Sequence, residues 1–312
     1  MGYSFIDMPQ SKEASKKTKH TPTFVSINPE WTLDQIVFPE NLKDQLADII
    51  SFCKNKDQII NDWELYKFMK GKGCIGINLW GIPGTGKSIA AEAIASALNM
   101  RLIQVSYSSL MDSLQGNTEK NITALFETAV NENCVILFDE ADGLLSARKT
   151  NGSNSDSANL IKSHLLNLLD RSTAIVVFTT NFFKSYDRAF VRRILWNIEV
   201  PAPGQSELTL IWQLHLGKNV PKSITYEELS EITLMIAKSK SINITGGDIR
   251  KLTLMFCTQL TSGRYTSITK VVAEAVIGKY IDDLQESNLP KKTFEEVSQK
   301  DLSETINNHL NN

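Results

Sequence analysis

The sequence predicts an α/β fold, a parallel sheet sandwiched by helices and followed by a small all-helical domain. Between residues 75 and 181, short apolar runs alternate with stretches of helical periodicity. Those runs are apolar on both faces, as strands are when helices cover both sides of a parallel sheet. Past Pro201-Ala202-Pro203-Gly204 the strand-like runs cease and only helical patterns follow. A chain of 312 residues, at roughly 150 per domain, has room for two such units.

Residues 1–25 are polar and carry the basic cluster Lys16, Lys17 and Lys19, which reads as a flexible tail that a partner could order. From Trp31 the chain places Ile36, Val37, Phe38 and Pro39 to cover an edge of the main domain. Leu42, Leu46, Ile49, Ile50 and Cys53 fall at helical spacing over residues 41–55, and a second short helix is expected around 61–70. Strands are predicted at 75–80 (IGINLW), 101–106 (RLIQVS), 134–140 (CVILFDE) and 173–181 (TAIVVFTTN), with helices at 88–100, 121–132 and 158–170 between them. The polar run 149–159 reads as a mobile loop on the rim of the sheet. Helices then follow at 205–217, 226–240, 247–260 and 267–285. The expected division is a tail over 1–25, an α/β domain over 26–203, a helical domain over 204–285, and a further helix or partly disordered end over 286–312.

Composition narrows the function. Thirty-three basic against 35 acidic residues give a formal net charge of -2, which excludes a polycationic nucleic-acid binder though not a local basic patch. Cys53, Cys74, Cys134 and Cys257 lack CxxC spacing, so reduced intracellular thiols are expected rather than a zinc knuckle or disulfide scaffold. No apolar run approaches the roughly 18 residues of a membrane span. The N-terminus lacks the pattern of a secretory signal, and Ile6 breaks the myristoylation pattern begun by Gly2. A soluble, cytoplasmic protein is the expectation.

The run Gly81-Ile82-Pro83-Gly84-Thr85-Gly86-Lys87-Ser88 matches GxxxxGK followed by Ser or Thr in full, between a predicted strand and a predicted helix that continues through Ile89. Glycines let backbone amides wrap a phosphate, and the helix adds its free N-terminal amides and positive dipole end. Lys87 is placed to reach the β and γ phosphates and Ser88 to ligate Mg²⁺. Cys134–Asp139 ends in a carboxylate that can hold the hydration shell of the ion, and Glu140 is placed to polarise an attacking water. Adjacent carboxylates alone also suit a helix cap; the phosphate loop some fifty residues earlier strengthens the catalytic reading. Asn181 closes the last apolar strand, where an amide could hold the lytic water or a γ-phosphate oxygen, or simply make a turn.

GIPGTGKS, ILFDEAD (136–142), FTTN (178–181) and DRAFVRRI (187–194) together resemble the AAA+ ATPases, specifically the classical AAA branch, over about residues 31–285. The resemblance implies a P-loop NTPase sheet followed by an AAA+ helical lid, with ATP and Mg²⁺ between them. It implies ring oligomers, usually hexamers, that hydrolyse ATP to unfold, thread or dismantle other macromolecules. Residue by residue it makes Lys87 the phosphate-loop lysine, Ser88 and Asp139 the metal residues, Glu140 the catalytic glutamate and Asn181 sensor 1. Arg192 and Arg193 match the paired arginines of which one or both enter the neighbouring subunit's site, where a guanidinium stabilises charge on the transferred phosphoryl. His215 maps to the histidine that contacts adenosine, and Gly246-Gly247 to the lid-helix start that packs on adenine. Arg250 stands at the sensor 2 position, for a phosphate contact or for a salt bridge within the lid. His164 is read as structural or solvent-exposed.

The chain also departs from that pattern. The pore-like stretch 110–129 carries Leu114 before Gln115-Gly116 where an aromatic is usual, with Tyr107 at the strand end, out of position. Leucine packs but lacks the flat, polarisable ring. Ile82 stands where proline is commoner. No second ATPase module, protease segment or N-terminal substrate domain is recognisable. The leading expectation is an ATP-driven homo-oligomeric remodeller of a protein client, or of one delivered to a partner enzyme. A nucleotide-gated scaffold or switch is the second reading, favoured by Leu114. A loader or motor on nucleic acid is third, disfavoured because residues 107–120 offer only Lys120 against Asp112 and Glu119.

Overall fold

The computed structural model describes residues 24–64, 74–106, 118–146, 155–181 and 186–288. After a short 3₁₀ turn at Leu33–Gln35 comes helix α1 (Glu40–Lys54), then a π-helical turn at Gln58–Asp62. The α/β part runs β1 (Ile75–Trp80), α2 (Lys87–Ala97), β2 (Arg101–Ser106), α3 (Thr118–Asn131), β3 (Cys134–Asp139), α4 (Asp142–Leu145), α5 (Ser155–Arg171), β4 (Ile175–Thr180), α6 (Arg188–Val191) and β5 (Ile194–Glu199). Four helices close the described chain: α7 (Gln205–His215), α8 (Tyr226–Ser239), α9 (Gly246–Thr261) and α10 (Lys270–Asn288). The result is a P-loop NTPase core followed by helices of the kind an AAA+ lid contains.

The five strands form one sheet in the order β2-β3-β4-β1-β5, each pair parallel. Side-chain alternation sorts the strand residues onto two faces. Ile136, Phe138, Val176 and Phe178 pack under α3 and α5, while Ile77, Leu79, Val135 and Val177 pack under α1 and α2. Both faces are covered, which is why these strands read as continuous apolar runs. The third core lies among α7–α10 around Trp212, Leu229, Leu252, Phe256 and Ile277.

Several local expectations shift. Strand β5 was not singled out in the sequence because its burial alternates and Trp196 and Asn197 interrupt its apolar residues. Helix α5 begins at Ser155, so residues 155–159 of the expected rim loop are helical; Ser155, Asp156 and Ser157 are residue types favoured at a helix start. The expected short helix at 61–70 is replaced at its beginning by the π turn, which ends at Asp62. Trp63 and Glu64 leave the turn without continuing a helix; residues 65–70, residues 149–154 with most of the rim loop, Leu114 with the rest of the pore-like stretch before α3, and most of both termini lie outside the described residues. Among the described residues no helix is long and apolar enough to cross a membrane.

Residues 24–38 form a strap with contacts to all three cores. Phe24 packs on the α3/α5 face, Leu33, Ile36 and Phe38 on the opposite face, and Val37 against the C-terminal helices. Between them Ile27 exchanges two backbone hydrogen bonds of 2.8 Å with Leu102, covering part of the exposed edge of β2.

Candidate functional site

Strand β1 delivers the chain into the turn Gly81–Gly86, and two glycines there are required by what closes on them. Gly81 has φ 153°, and a Cβ on it would lie 2.3 Å from the Val200 carbonyl oxygen. Gly84 has φ 84°, and a Cβ would lie 2.5 Å from Thr245 Oγ1 at the start of α9. The Gly247 N–H donates to the Gly84 carbonyl at 3.2 Å. That helix start is fixed in turn by Asp248, whose carboxylate accepts from the Thr245 N–H (2.9 Å), the Thr245 hydroxyl (2.7 Å) and the Tyr280 hydroxyl (2.6 Å).

Lys87 is the first residue of α2, and its ammonium is turned back on the loop. Nζ donates to the carbonyls of Gly81 (2.8 Å) and Ile82 (2.9 Å). Burial lowers its pKa, while the carboxylates of Asp142, Asp139 and Glu140 act in the opposite sense. The next residue, Ser88, donates to Asp139 Oδ1 at 2.8 Å. Thr179 donates to the same carboxylate oxygen, and Gln104 Nε2 to Oδ2 at 3.0 Å. Asp139 is thus held by groups from three elements beside α2's first turn.

Glu140 sits in the left-handed region at φ 53°, with its N–H bonded to Thr179 Oγ1 at 3.1 Å. A non-glycine residue there stores strain of about 1–2 kcal/mol. That turn brings Glu140 to line the cavity, and its carboxylate accepts no hydrogen bond among the described residues. Asn181 also lines the cavity; its N–H donates to both Asp142 carboxylate oxygens, at 2.9 and 3.2 Å.

These groups open into a cavity of about 610 Å³, within the size range of small-molecule sites. Pro83–Ile89, Asp139, Glu140, Thr179 and Asn181 form one wall; Ile211, Leu214, His215, Gly246, Gly247 and Arg250 form a second. Trp31 and Gln35–Pro39 form a third. The last is a correction: the sequence placed Ile36, Val37 and Phe38 on a domain edge, whereas they also line the site. Gly81 and Ile82 stand behind the wall, engaged with Lys87 through their carbonyls. Burial, then the Arg250 charge, lower the His215 pKa. Arg250 forms no ion pair among the described residues, so the lid salt bridge is not found.

The two arginines are not brought to this cavity. They follow α6 and precede β5, whose N-terminal end is opposite the phosphate loop because β5 runs parallel to β1. Arg193 is tied within its own chain, donating Nε and NH2 to Asp170 Oδ1 and Oδ2 at 2.8 Å each and NH1 to the Ala189 carbonyl at 3.0 Å. Arg192 is exposed; its N–H donates to the Arg188 carbonyl at 3.3 Å, and its side chain makes no hydrogen bond or ion pair among the described residues. His164 bonds Thr123 at 2.8 Å, joining α5 to α3, which fits the structural reading.

Chemically, the bare glycine backbone and helix start suit a polyphosphate. Among the described residues no three His, Cys, Asp or Glu converge as a self-sufficient metal site. The paired hard oxygens of Ser88 and Asp139 do suit Mg²⁺, which commonly takes one or two protein ligands and completes its shell with phosphate and water. Sequence reasoning missed Gln104, Asp142, Thr179 and the strap. Asp142 was visible as the last acid of the DEAD run, Thr179 lay inside the FTTN run, and the strap was read only as an edge cover; nothing marked Gln104.

Against this geometry, the pattern of the ATPase family associated with various cellular activities (AAA) matches residues 77–202, from mid-β1 to just past β5. Proteasome-activating nucleotidase 1 of Haloferax volcanii is 32% identical over 56% of this chain and 43% of its own length. The cell division cycle protein 48 homolog of Archaeoglobus fulgidus is 33% identical over 67% of this chain and 30% of its own. This chain carries an AAA+ ATPase domain. The outer mitochondrial transmembrane helix translocase of Danio rerio matches more of the chain, 27% identical over 73% of it and 58% of the relative. The chain therefore spans less than two thirds of each of these relatives. In the AAA+ domain the phosphate loop, the DEAD run and the arginine pair all lie inside the matched stretch.

Proposed function

We propose that the chain binds ATP with Mg²⁺ in this cavity and hydrolyses it as part of a homo-oligomeric ring, driving the remodelling or unfolding of a protein client. The observation that carries the reading is the division of the machinery. Lys87, Ser88, Asp139, Glu140 and Asn181 gather at one cavity, while Arg192 projects, unpaired among the described residues, at the other end of β5.

In this reading Lys87 leaves the Gly81 and Ile82 carbonyls for the phosphate oxygens, and the loop amides and α2 start receive the remaining charge. Ser88 and Asp139 hold Mg²⁺, which supplies Lewis-acid stabilisation of charge on the phosphoryl oxygens. Glu140 accepts a proton from the attacking water at its carboxylate, and the Asn181 side chain orients that water. Gly246-Gly247 and the strap residues Ile36–Phe38 offer a close apolar berth for the base, with His215 at its rim. Arg192 serves the next subunit's cavity; Arg193, bound to Asp170, holds the turn that presents it. The ring, nominally a hexamer, and the protein client are suggested by the kinds of protein the chain resembles.

Lys87→Ala is expected to abolish ATP binding by equilibrium dialysis, and Glu140→Gln to bind ATP normally while losing at least 100-fold in turnover. A Glu140→Gln chain that hydrolyses at the wild-type rate would remove Glu140 from its role.

A further inference from the structure

Strand β1 carries one polar side chain that the phosphate site does not use. Asn78 is fully buried between β4 and β5. Its Nδ2 donates to Asn197 Oδ1 on β5 at 3.2 Å. On its other side the hydroxyls of Thr180 and Tyr186 approach Asn78 Oδ1 at 3.4 and 3.5 Å, and they also bond each other. Burial raises the Tyr186 pKa, so the phenol stays protonated and available as a donor. Tyr186 is the one member of this cluster that belongs to no strand.

Its two neighbourhoods matter. Thr180 directly precedes Asn181 at the cavity. Tyr186 opens the run into the arginine turn: Asp187 N–H donates to the Leu145 carbonyl at 2.8 Å, and Asp187 Oδ1 caps α6 by accepting from Ala189 N–H at 2.9 Å. Phe190 of α6 is fully buried, and Arg192 follows it outward. Leu145 ends α4, and α4 begins with Asp142, which holds the Asn181 amide. The cavity end of β4 and the start of the arginine turn are therefore joined twice, through the Thr180–Tyr186 hydroxyls and through α4.

We propose that Tyr186 is a positioning residue: its hydroxyl, seated on Thr180 and Asn78, sets the turn that presents Arg192 to the neighbouring subunit's cavity. This rests on the shared-site reading above. A buried hydrogen-bonded cluster admits few geometries, so a change at Thr180 and Asn181 is passed on to the turn that carries the arginine.

Mixed oligomers test it. Glu140→Gln chains, inactive at their own cavity but carrying Arg192, are mixed with Arg192→Ala chains, whose cavity is intact. Shared sites restore turnover in the mixture. Adding Tyr186→Phe to the Glu140→Gln chain is expected to cut the restored rate at least five-fold, with KM for ATP within two-fold and the melting midpoint of that chain unchanged. Adding it instead to the Arg192→Ala chain should cost less than two-fold. An undiminished rate, or equal losses in both placements, would overturn the role of Tyr186. A mixture that restores nothing before Tyr186 is touched would overturn the shared-site reading itself, and the proposal with it. Should Tyr186→Phe lower the melting midpoint, Thr180→Val in the same two placements applies the same criterion.

Discussion

The Gly247 amide bonds the Gly84 carbonyl at 3.2 Å, so helix α9 begins on the phosphate loop itself. Loop and helix approach so closely that neither side has room for a Cβ at Gly84. The loop over Gly81–Gly86 and the first turn of α9 are therefore joined at one backbone contact.

Gly84→Ala is expected to combine about 1–2 kcal/mol of left-handed strain with a clash against Thr245. It should lower the melting midpoint and weaken ATP binding at least ten-fold by fluorescent-nucleotide titration. Gly217→Ala, at a glycine with nothing within 4 Å of the added Cβ, is the control and should do neither.

Ser88→Ala removes the hydroxyl that donates to Asp139 Oδ1, but Thr179 and Gln104 still hold that carboxylate. Stability should fall by no more than about 1 kcal/mol. The Mg²⁺-dependent gain in ATP affinity, measured as the ratio of dissociation constants in magnesium and in EDTA, should shrink at least ten-fold.

His215 gives a pH signature. Its folded pKa lies below the ordinary value of 6.5, through burial and then Arg250. Above 6.5 the imidazole is neutral folded and unfolded and costs nothing. As pH falls below that value the unfolded chain takes up the proton first, so stability drops until the folded pKa is passed. Melting midpoints between pH 7.5 and 5 should fall less steeply for His215→Gln than for wild type.

Arg192→Ala and Arg193→Ala should separate cleanly. Arg193 makes a two-pronged pair with Asp170, both partly exposed, so its loss should cost at most about 1 kcal/mol after solvent screening. The Arg192 side chain makes no hydrogen bond or ion pair among the described residues, and its loss should leave the melting midpoint unchanged while ATPase activity falls at least 100-fold.

The phosphate loop and the strand-end carboxylates were legible in the sequence because their chemistry demands particular residue types at fixed spacing. Two covered faces likewise explain why β1, β3 and β4 could be read from apolar runs alone. The cavity-lining part of the strap was not legible for the opposite reason: Ile36, Val37 and Phe38 sit in irregular chain, where no periodicity states which surfaces they meet. Gln104 and Thr179 reach Asp139 across strand pairings that only the folded sheet creates. Adjacent in sequence, Arg192 and Arg193 could not be told apart until Asp170, 23 residues away, was seen to bind one of them.

The most direct measurement is ATPase rate per subunit against protein concentration, with mass determined with and without ATP, for wild type and Arg192→Ala. A rate that climbs as oligomers form, and collapses in Arg192→Ala chains that still bind ATP, is the expected result. A monomer that turns over ATP equally at every dilution, with or without Arg192, would contradict the shared active site.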